Sequence, residues 1–328
     1  MITKTINRRG LLGAGAALAV TLGSAGAALA EYPERPISMI VAASPGGGTD
    51  VMARTIVPFM EKYLGDGASI TVINKPGAGT EIGATTLAEA KPDGYTIGMI
   101  NLPHMIAIPI ERKAAFHMLE SFEPLANLVT DAAAFNVSAD SEFETLDDLI
   151  TYAKENPGTL TVGTSGVGGD DHLAMLMFEK AAGIEFTHVP YNSGGPVRAA
   201  VLGGHIDIGS FNVSEAVDFV NEGQLRTLGI MSDERWEEAP DIATFAEQGF
   251  DVAIAAHRGM AAPKGVPEDI LGKLRTSIEK TMADPEFQAA AKQQKLPLRY
   301  MPHDEYLVLL QRMDADMKDL WAEDPWKE

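Results

Sequence analysis

The sequence predicts an α/β protein of two similar lobes with a ligand cleft between them. Three observations carry this expectation. Strand and helix patterns alternate along the chain, the alternation restarts near residue 133, and three glycine-rich turns sit where a strand should hand over to a helix. The turns are Ser44-Pro45-Gly46-Gly47-Gly48-Thr49-Asp50, Gly163-Thr164-Ser165-Gly166-Val167-Gly168-Gly169-Asp170 and Tyr191-Asn192-Ser193-Gly194-Gly195-Pro196. Backbone N–H groups at such turns point outward at the start of the next helix, where the helix dipole adds positive potential. Turns of this kind in both parts of one chain suggest a cleft that closes on an anionic solute.

The first α/β unit opens with a buried strand over 37–43, stopped by Pro45 and the glycines. A helix follows from Asp50, marked by Val51, Ile56, Val57 and Phe59, with Thr49 or Asp50 at its start. Residues 69–73 are a second strand, Pro76-Gly77-Ala78-Gly79 a turn, 81–90 a helix and 95–100 a third strand. The restart reads as a strand at 133–138, then a helix over 146–154 whose start is signalled by Thr145 and Asp147-Asp148. Strands at 160–163, 186–190, 206–209 and 225–231 alternate with helices at 172–182, 196–202 and 213–221. Residues 251–262 read as a strand running back to the first lobe, and the tail from Pro267 as helical, with Leu271, Leu274, Ile278 and Met282 on one face. Ligands on such sheets sit beyond the carboxyl ends of the strands, where the glycine turns fall.

Residues 1–30 read as an export signal. Lys4, Arg8 and Arg9 precede an apolar stretch over 11–29, and Ala28-Leu29-Ala30 supplies the small-x-small pattern for cleavage after Ala30. Its glycine and alanine content is too weakly hydrophobic for a membrane anchor. Arg8-Arg9 before Gly10-Leu11-Leu12 resembles a twin-arginine signal, with an ordinary Sec signal as the other route; both lead to the periplasm. The chain has no cysteine, which removes both disulfides and a lipid-modified cysteine anchor.

The net charge is −20, and the leader carries away three basic residues and no acid. This balance excludes nucleic acid and anionic membrane surfaces as partners, since both need basic patches. After residue 30 no apolar run is long enough to insert stably in a bilayer.

Enzyme motifs fail one by one. No Lys-Ser or Lys-Thr follows the triple glycine, so it is no P-loop. Gly77-Ala78-Gly79-Thr80-Glu81-Ile82-Gly83 misses the dinucleotide fingerprint by one position. Gly163-Thr164-Ser165-Gly166-Val167 approaches a nucleophile elbow but ends in valine. The seven histidines include no His-Glu-x-x-His, and the acids of Asp170-Asp171-His172 are ordinary at a helix start. No catalytic residue, metal or cofactor is expected.

The chain resembles the periplasmic solute-binding proteins of tripartite tricarboxylate transporters, the Bug or TctC-like family. The resemblance rests on Tyr32-Pro33-Glu34-Arg35-Pro36-Ile37, Pro45-Gly46-Gly47-Gly48-Thr49-Asp50, Asn74-Lys75-Pro76-Gly77-Ala78-Gly79 and Lys91-Pro92-Asp93-Gly94-Tyr95-Thr96. It continues through Gly163-Thr164-Ser165-Gly166, His188-Val189-Pro190-Tyr191, Leu202-Gly203-Gly204-His205-Ile206-Asp207 and Ala261-Ala262-Pro263-Lys264-Gly265, in family order over nearly the whole chain. It implies a type II, Venus-flytrap periplasmic-binding-protein fold, with lobe I at 31–130 plus 255–328 and lobe II at 131–254. It also implies a monomeric receptor that captures a small carboxylate, a di- or tricarboxylate foremost, for a permease of two integral membrane subunits. An amino acid, an aromatic acid or an uncharged solute is the alternative ligand, and a membrane sensor kinase the alternative partner.

By the same resemblance the ligand is held by backbone amides, hydroxyls and waters at facing helix starts. That points to Ala43, Ser44, Gly47, Gly48, Thr49 and Asp50 in lobe I, with Asn101 and His104 as additions. In lobe II it points to Thr164, Ser165, Gly166, Gly169, Asp170, Tyr191 and Asn192. Ser44 stands where the family commonly has proline, adding a hydroxyl. His257 and Arg258, on the returning segment, are candidates to read a second polar group. Arg258 either forks onto a second carboxylate or forms a salt bridge at the hinge. Asp170 and Asp171 either cap their helix or face the cleft, where they would favour a ligand that also carries an amine or hydroxyl.

Overall fold

The computed structural model describes residues 1–2, 32–323 and 325–326. The predicted leader and its cleavage point after Ala30 lie outside the described residues. The chain builds two mixed sheets, each flanked by helices, and these are the cores of two lobes.

The first sheet starts from β1 (Ile37–Val41), buried along nearly its whole length as an apolar strand between helical layers must be. It pairs in parallel with β2 (Ile70–Asn74) and β3 (Thr96–Leu102). Between them run α1 (Gly48–Leu64) and α2 (Glu81–Ala88). α1 turns Met52, Ile56 and Met60 onto the sheet, where Leu274 and Ile278 of α9 (Glu268–Met282) join the same core. The other half of the sheet is antiparallel, with strand order β11-β4-β10-β3-β1-β2. Here β10 (Ala255–Pro263) lies between β3 and β4 (Phe122–Ala132), and β11 (Leu298–Pro302) forms the edge.

The second sheet has the order β7-β6-β8-β5-β9. β6 (Thr161–Thr164) pairs in parallel with β7 (Thr187–Pro190) and β8 (Ile208–Ser210), whereas β5 (Ala134–Ser138) runs antiparallel to β8 and β9 (Leu225–Ile230). Phe135, Phe178 and Phe245 centre its core as edge-to-face rings with centroids 5.0–5.6 Å apart. α5 (Leu146–Glu155) begins on the expected signal: Thr145 and Asp148 form a reciprocal capping box. α6 (Asp170–Ala182), α7 (Gly194–Leu202) and α8 (Val213–Asn221) complete the lobe.

The structure differs from the sequence reading in three places. β4 crosses 122–132, a stretch the alternation left without an element; it is buried on both faces, so no period-two pattern marks it. α3 (His104–Glu111) follows β3 directly despite Pro109 inside it, and a single-turn α4 (Met118–Ser121) leads into β4. The tail is not wholly helical. Between α10 (Pro285–Gln293) and α11 (His303–Glu323) it adds β11, where Pro297 and Pro302 obscured a strand at a sheet edge, the place where proline is tolerated.

Candidate functional site

Three helices start at the cleft, and none has its first turn capped by its own N-cap side chain. α1 follows Gly47, α6 follows Gly169 and α7 follows Ser193. The starts of α1 and α7 come from opposite lobes and touch. A Cβ on Gly47 would lie 3.1 Å from Ser193 Oγ, and one on Gly195 would lie 3.3 Å from the Gly46 backbone. Glycine is needed here for close approach, which brings two positive helix ends together.

Between them lies a cavity of about 20 Å³, room for a water molecule or two. Of the predicted residues, Ala43, Gly47, Gly48, Thr49, Asn101 and His104 line it from the first lobe, together with Arg258. Ser165 and Asn192 line it from the second. Gly166 and Tyr191 instead border an adjoining cavity of about 590 Å³, reached between Gly79 and Arg112 on one side and Tyr191 on the other.

The remaining predicted residues lie behind the wall. Asp50 accepts from the Gly46 amide at 2.9 Å and Asn74 Nδ2 at 2.8 Å, and pairs with Arg54 at 3.0 Å, so it braces the glycine turn. The Ser44 carbonyl accepts from the Gly47 amide within the same turn. Thr164 Oγ1 lies 2.7 Å from His188 Nε2 and accepts from the Gly166 amide at 3.2 Å. Gly169 gives passage to the His104 ring, which any Cβ there would strike. Asp170 accepts from Asn212 Nδ2 at 2.7 Å. His257 contacts Thr130 Oγ1 at 3.1 Å, away from the cleft, because neighbouring residues of β10 point to opposite faces.

Arg258 takes the inward face and is 2% exposed. Its Nη1 donates to Asp131 Oδ2; its Nη2 donates to Asn212 Oδ1 at 2.6 Å and to Glu215 Oε1 at 3.0 Å. Both terminal nitrogens are thus engaged by the protein. The geometry is the interlobe salt bridge of the two roles the sequence left open. Burial alone would lower the Arg258 pKa, but Asp131 and Glu215 beside it raise it, so the guanidinium stays charged.

Four carboxyl groups lie around Arg258, namely Asp131, Asp170, Asp171 and Glu215, and a second cation, Arg198, reaches Glu215 Oε2 at 3.9 Å. Burial pushes the Asp170 carboxyl up to about 6 and raises that of Glu215. Burial and the neighbouring Asp170 raise Asp171 well above the usual carboxylate range. Asp171 Oδ2 accepts from the Ser165 hydroxyl and amide, whereas Oδ1 has no partner. Burial likewise draws His104 down to about 4, only partly offset by the Ser165 and Gly166 backbone. Neither of its ring nitrogens has a partner of good hydrogen-bond geometry.

Sequence reasoning did not include Thr80, Ser193, Gly194, Asn212 or Glu215 among the site residues, and all of them line the cavity. Ser193 and Gly194 belong to the third glycine turn, so their signal was present. Asn212-Val213-Ser214-Glu215 has the spacing of a helix-capping box, which hides any other use. In the structure Asn212 makes no cap bond; its side chain and that of Glu215 both turn to Arg258. Among the described residues no group of three or more His, Asp or Glu is arranged to hold a metal ion, and no helix is long and apolar enough to cross a membrane.

Two lobes closing helix starts on a buried polar cavity define a periplasmic-type solute-binding protein. A profile of the tripartite tricarboxylate transporter family receptors matches residues 52–321, and the chain belongs to that family. It is 31% identical over 301 residues to the UPF0065 protein in the gbd 5' region of Cupriavidus necator, covering 92% of this chain and 91% of that one. Among solved structures it is similar to the periplasmic binding protein BugD, with a TM-score of 0.83 and 28% identity over 89% of this chain and 98% of that one. It is also similar to MatC from Rhodopseudomonas palustris with bound malate, with a TM-score of 0.81 and 25% identity over 88% of this chain and 99% of that one. The family is one of solute receptors, not of enzymes.

Proposed function

We propose that this protein, exported and cleaved after Ala30, captures a small organic acid between its lobes as a monomer. It then hands the ligand to a two-subunit membrane permease of the tripartite tricarboxylate type. Lobe I is taken as 31–130 with 255–328 and lobe II as 131–254. The observation that carries the reading is the meeting of two uncapped helix starts, α1 and α7, from opposite lobes over a buried polar cavity. The dipoles of these helix starts and the unpartnered Ser193 hydroxyl suit a carboxylate, and closure around it would couple binding to a change in lobe arrangement. Family membership supports the permease as partner, and the malate bound to MatC supports an organic acid as ligand.

The test is a thermal-shift screen against organic acids. A ligand at a hundred times its Kd adds about 2.7 kcal/mol of stability, which appears as a raised Tm. A folded, ligand-stripped protein that answers to no organic acid would end this reading.

A further inference from the structure

The cleft carries a carboxylate of its own where the lobes meet. A Cβ on Gly48, at the start of α1, would lie 2.7 Å from Glu215 Oε1. One on Gly194, at the start of α7, would strike Glu215 Oε2. The Gly48 amide helps hold the Glu215 charge, and Arg258 Nη2 lies 3.0 Å away. An internal anion therefore already fills the place where two positive helix ends converge.

The groups left open have a different character. Glu215 Oε2, Asp171 Oδ1 and Asn101 Oδ1 are buried oxygens that accept no hydrogen bond, although Arg198 Nη1 lies 3.9 Å from Glu215 Oε2, and all three residues line the cavity. Asp171 is 1% exposed and the Glu215 side chain 7%. Oxygens of this kind call for a donor, and an ammonium group offers three. Ser193 Oγ, Thr80 Oγ1, Arg258 Nε and the N–H of the His104 ring, also buried, without a hydrogen-bond partner and on the lining, are donors available to one carboxylate. A second ligand carboxylate would instead sit against the Glu215 carboxylate, already paired with Arg258 at 3.0 Å and facing Arg198 at 3.9 Å, where like charges out of water repel.

Resting on the reading of the cleft as a small-acid site, we propose that its ligand, admitted when the lobes part to widen the cavity of about 20 Å³, is an amino acid with one carboxylate and one cationic amine. Glu215 and Asp171 are the residues that select it over di- and tricarboxylates. Glu215 takes the helix-start site that a second carboxylate would need, and Asp171 with Asn101 receives the amine.

The experiment is calorimetry on the purified protein, stripped of carried-over ligand, with alanine, leucine and 4-aminobutyrate against succinate, malate and citrate. The expected result is binding in the first set at least tenfold tighter than in the second. Asp171→Asn, nearly isosteric, should weaken the amino acids at least tenfold. Glu215→Gln should strengthen the dicarboxylates relative to wild type. Tighter binding of succinate, malate or citrate by the wild type overturns the inference and leaves the organic-acid reading standing, whether or not either variant folds. Amino-acid binding unchanged in a folded Asp171→Asn also overturns it. Silence from both sets, with the protein shown folded, overturns the inference and the organic-acid reading together.

Discussion

Glu215 of the second lobe meets Arg258 of the first, Oε1 to Nη2 at 3.0 Å, with both side chains almost sealed from water. Arg258 also holds Asp131 on its own sheet, so one guanidinium ties the crossing strands to the opposite lobe. Removing one member of such a group leaves charges buried and unpaired. Arg258→Met should lower stability by about 3–5 kcal/mol in urea denaturation. The double change Arg258→Met with Glu215→Gln should recover part of that loss, a coupling of about 0.5–3 kcal/mol. Strictly additive losses would show that the pair does not link the lobes energetically.

Glycine at the start of α1 leaves room for this pair. A Cβ on Gly48 would come within 2.6 Å of Arg258 Cζ. Gly48→Ala should cost about 1–3 kcal/mol by overpacking and abolish the Tm rise produced by ligand. Gly272, inside α9, has open space around its would-be Cβ. Gly272→Ala should therefore stabilise by roughly 0.4–1 kcal/mol. Equal effects at both positions would show that crowding at the cleft is not what requires glycine there.

His257 lies outside the cleft, and its burial, with Arg299 and Arg312 nearby, holds its pKa down at about 4. The unfolded chain takes up this proton near pH 6.5 and the fold does not. The contribution is thus complete above pH 6.5 and is lost as the pH falls toward 4. His257→Gln removes that term, so the variant should gain on the wild type by up to about 2 kcal/mol between pH 7 and pH 5. Asp170, raised to about 6, has the opposite sign and stabilises as the pH falls through that value. The comparison at a single site isolates the histidine. Parallel urea midpoints for the two proteins at both pH values would refute it.

Tyr306 is fully buried against β10, and its hydroxyl has no hydrogen-bond partner. Losing an unsatisfied buried hydroxyl relieves its desolvation penalty, so Tyr306→Phe should stabilise by about 1 kcal/mol. A destabilised Tyr306→Phe protein would mean that the hydroxyl is bonded in solution, for instance to water.

Sequence reading went furthest where a local rule has one meaning. Thr145 with Asp148 marks a helix start and forms one; the glycine turns mark close approach and provide it. It went wrong where one pattern serves two purposes. Asn212 and Glu215 have capping spacing but serve Arg258, a residue more than forty positions away, and only the pairing of β10 with β3 and β4 brings them together. His257 and Arg258 are adjacent in sequence and form one candidate pair there, although strand alternation sends them to opposite faces. β4 and β11 leave no pattern in the sequence, because burial on two faces removes alternation and prolines obscure an edge.

The place of β10 within its sheet has a consequence for the order in which the chain can be completed. All five strands of the second sheet lie between residues 134 and 230, whereas the first sheet needs a strand from 255–263 at its centre and another from 298–302 at its edge. As the polypeptide grows from its amino end, the half begun first is finished last. Until β10 emerges, no strand bridges β3 and β4, and their facing backbone edges wait for a segment more than a hundred residues downstream. The second lobe can reach its native form on a nascent chain that the first lobe still cannot use.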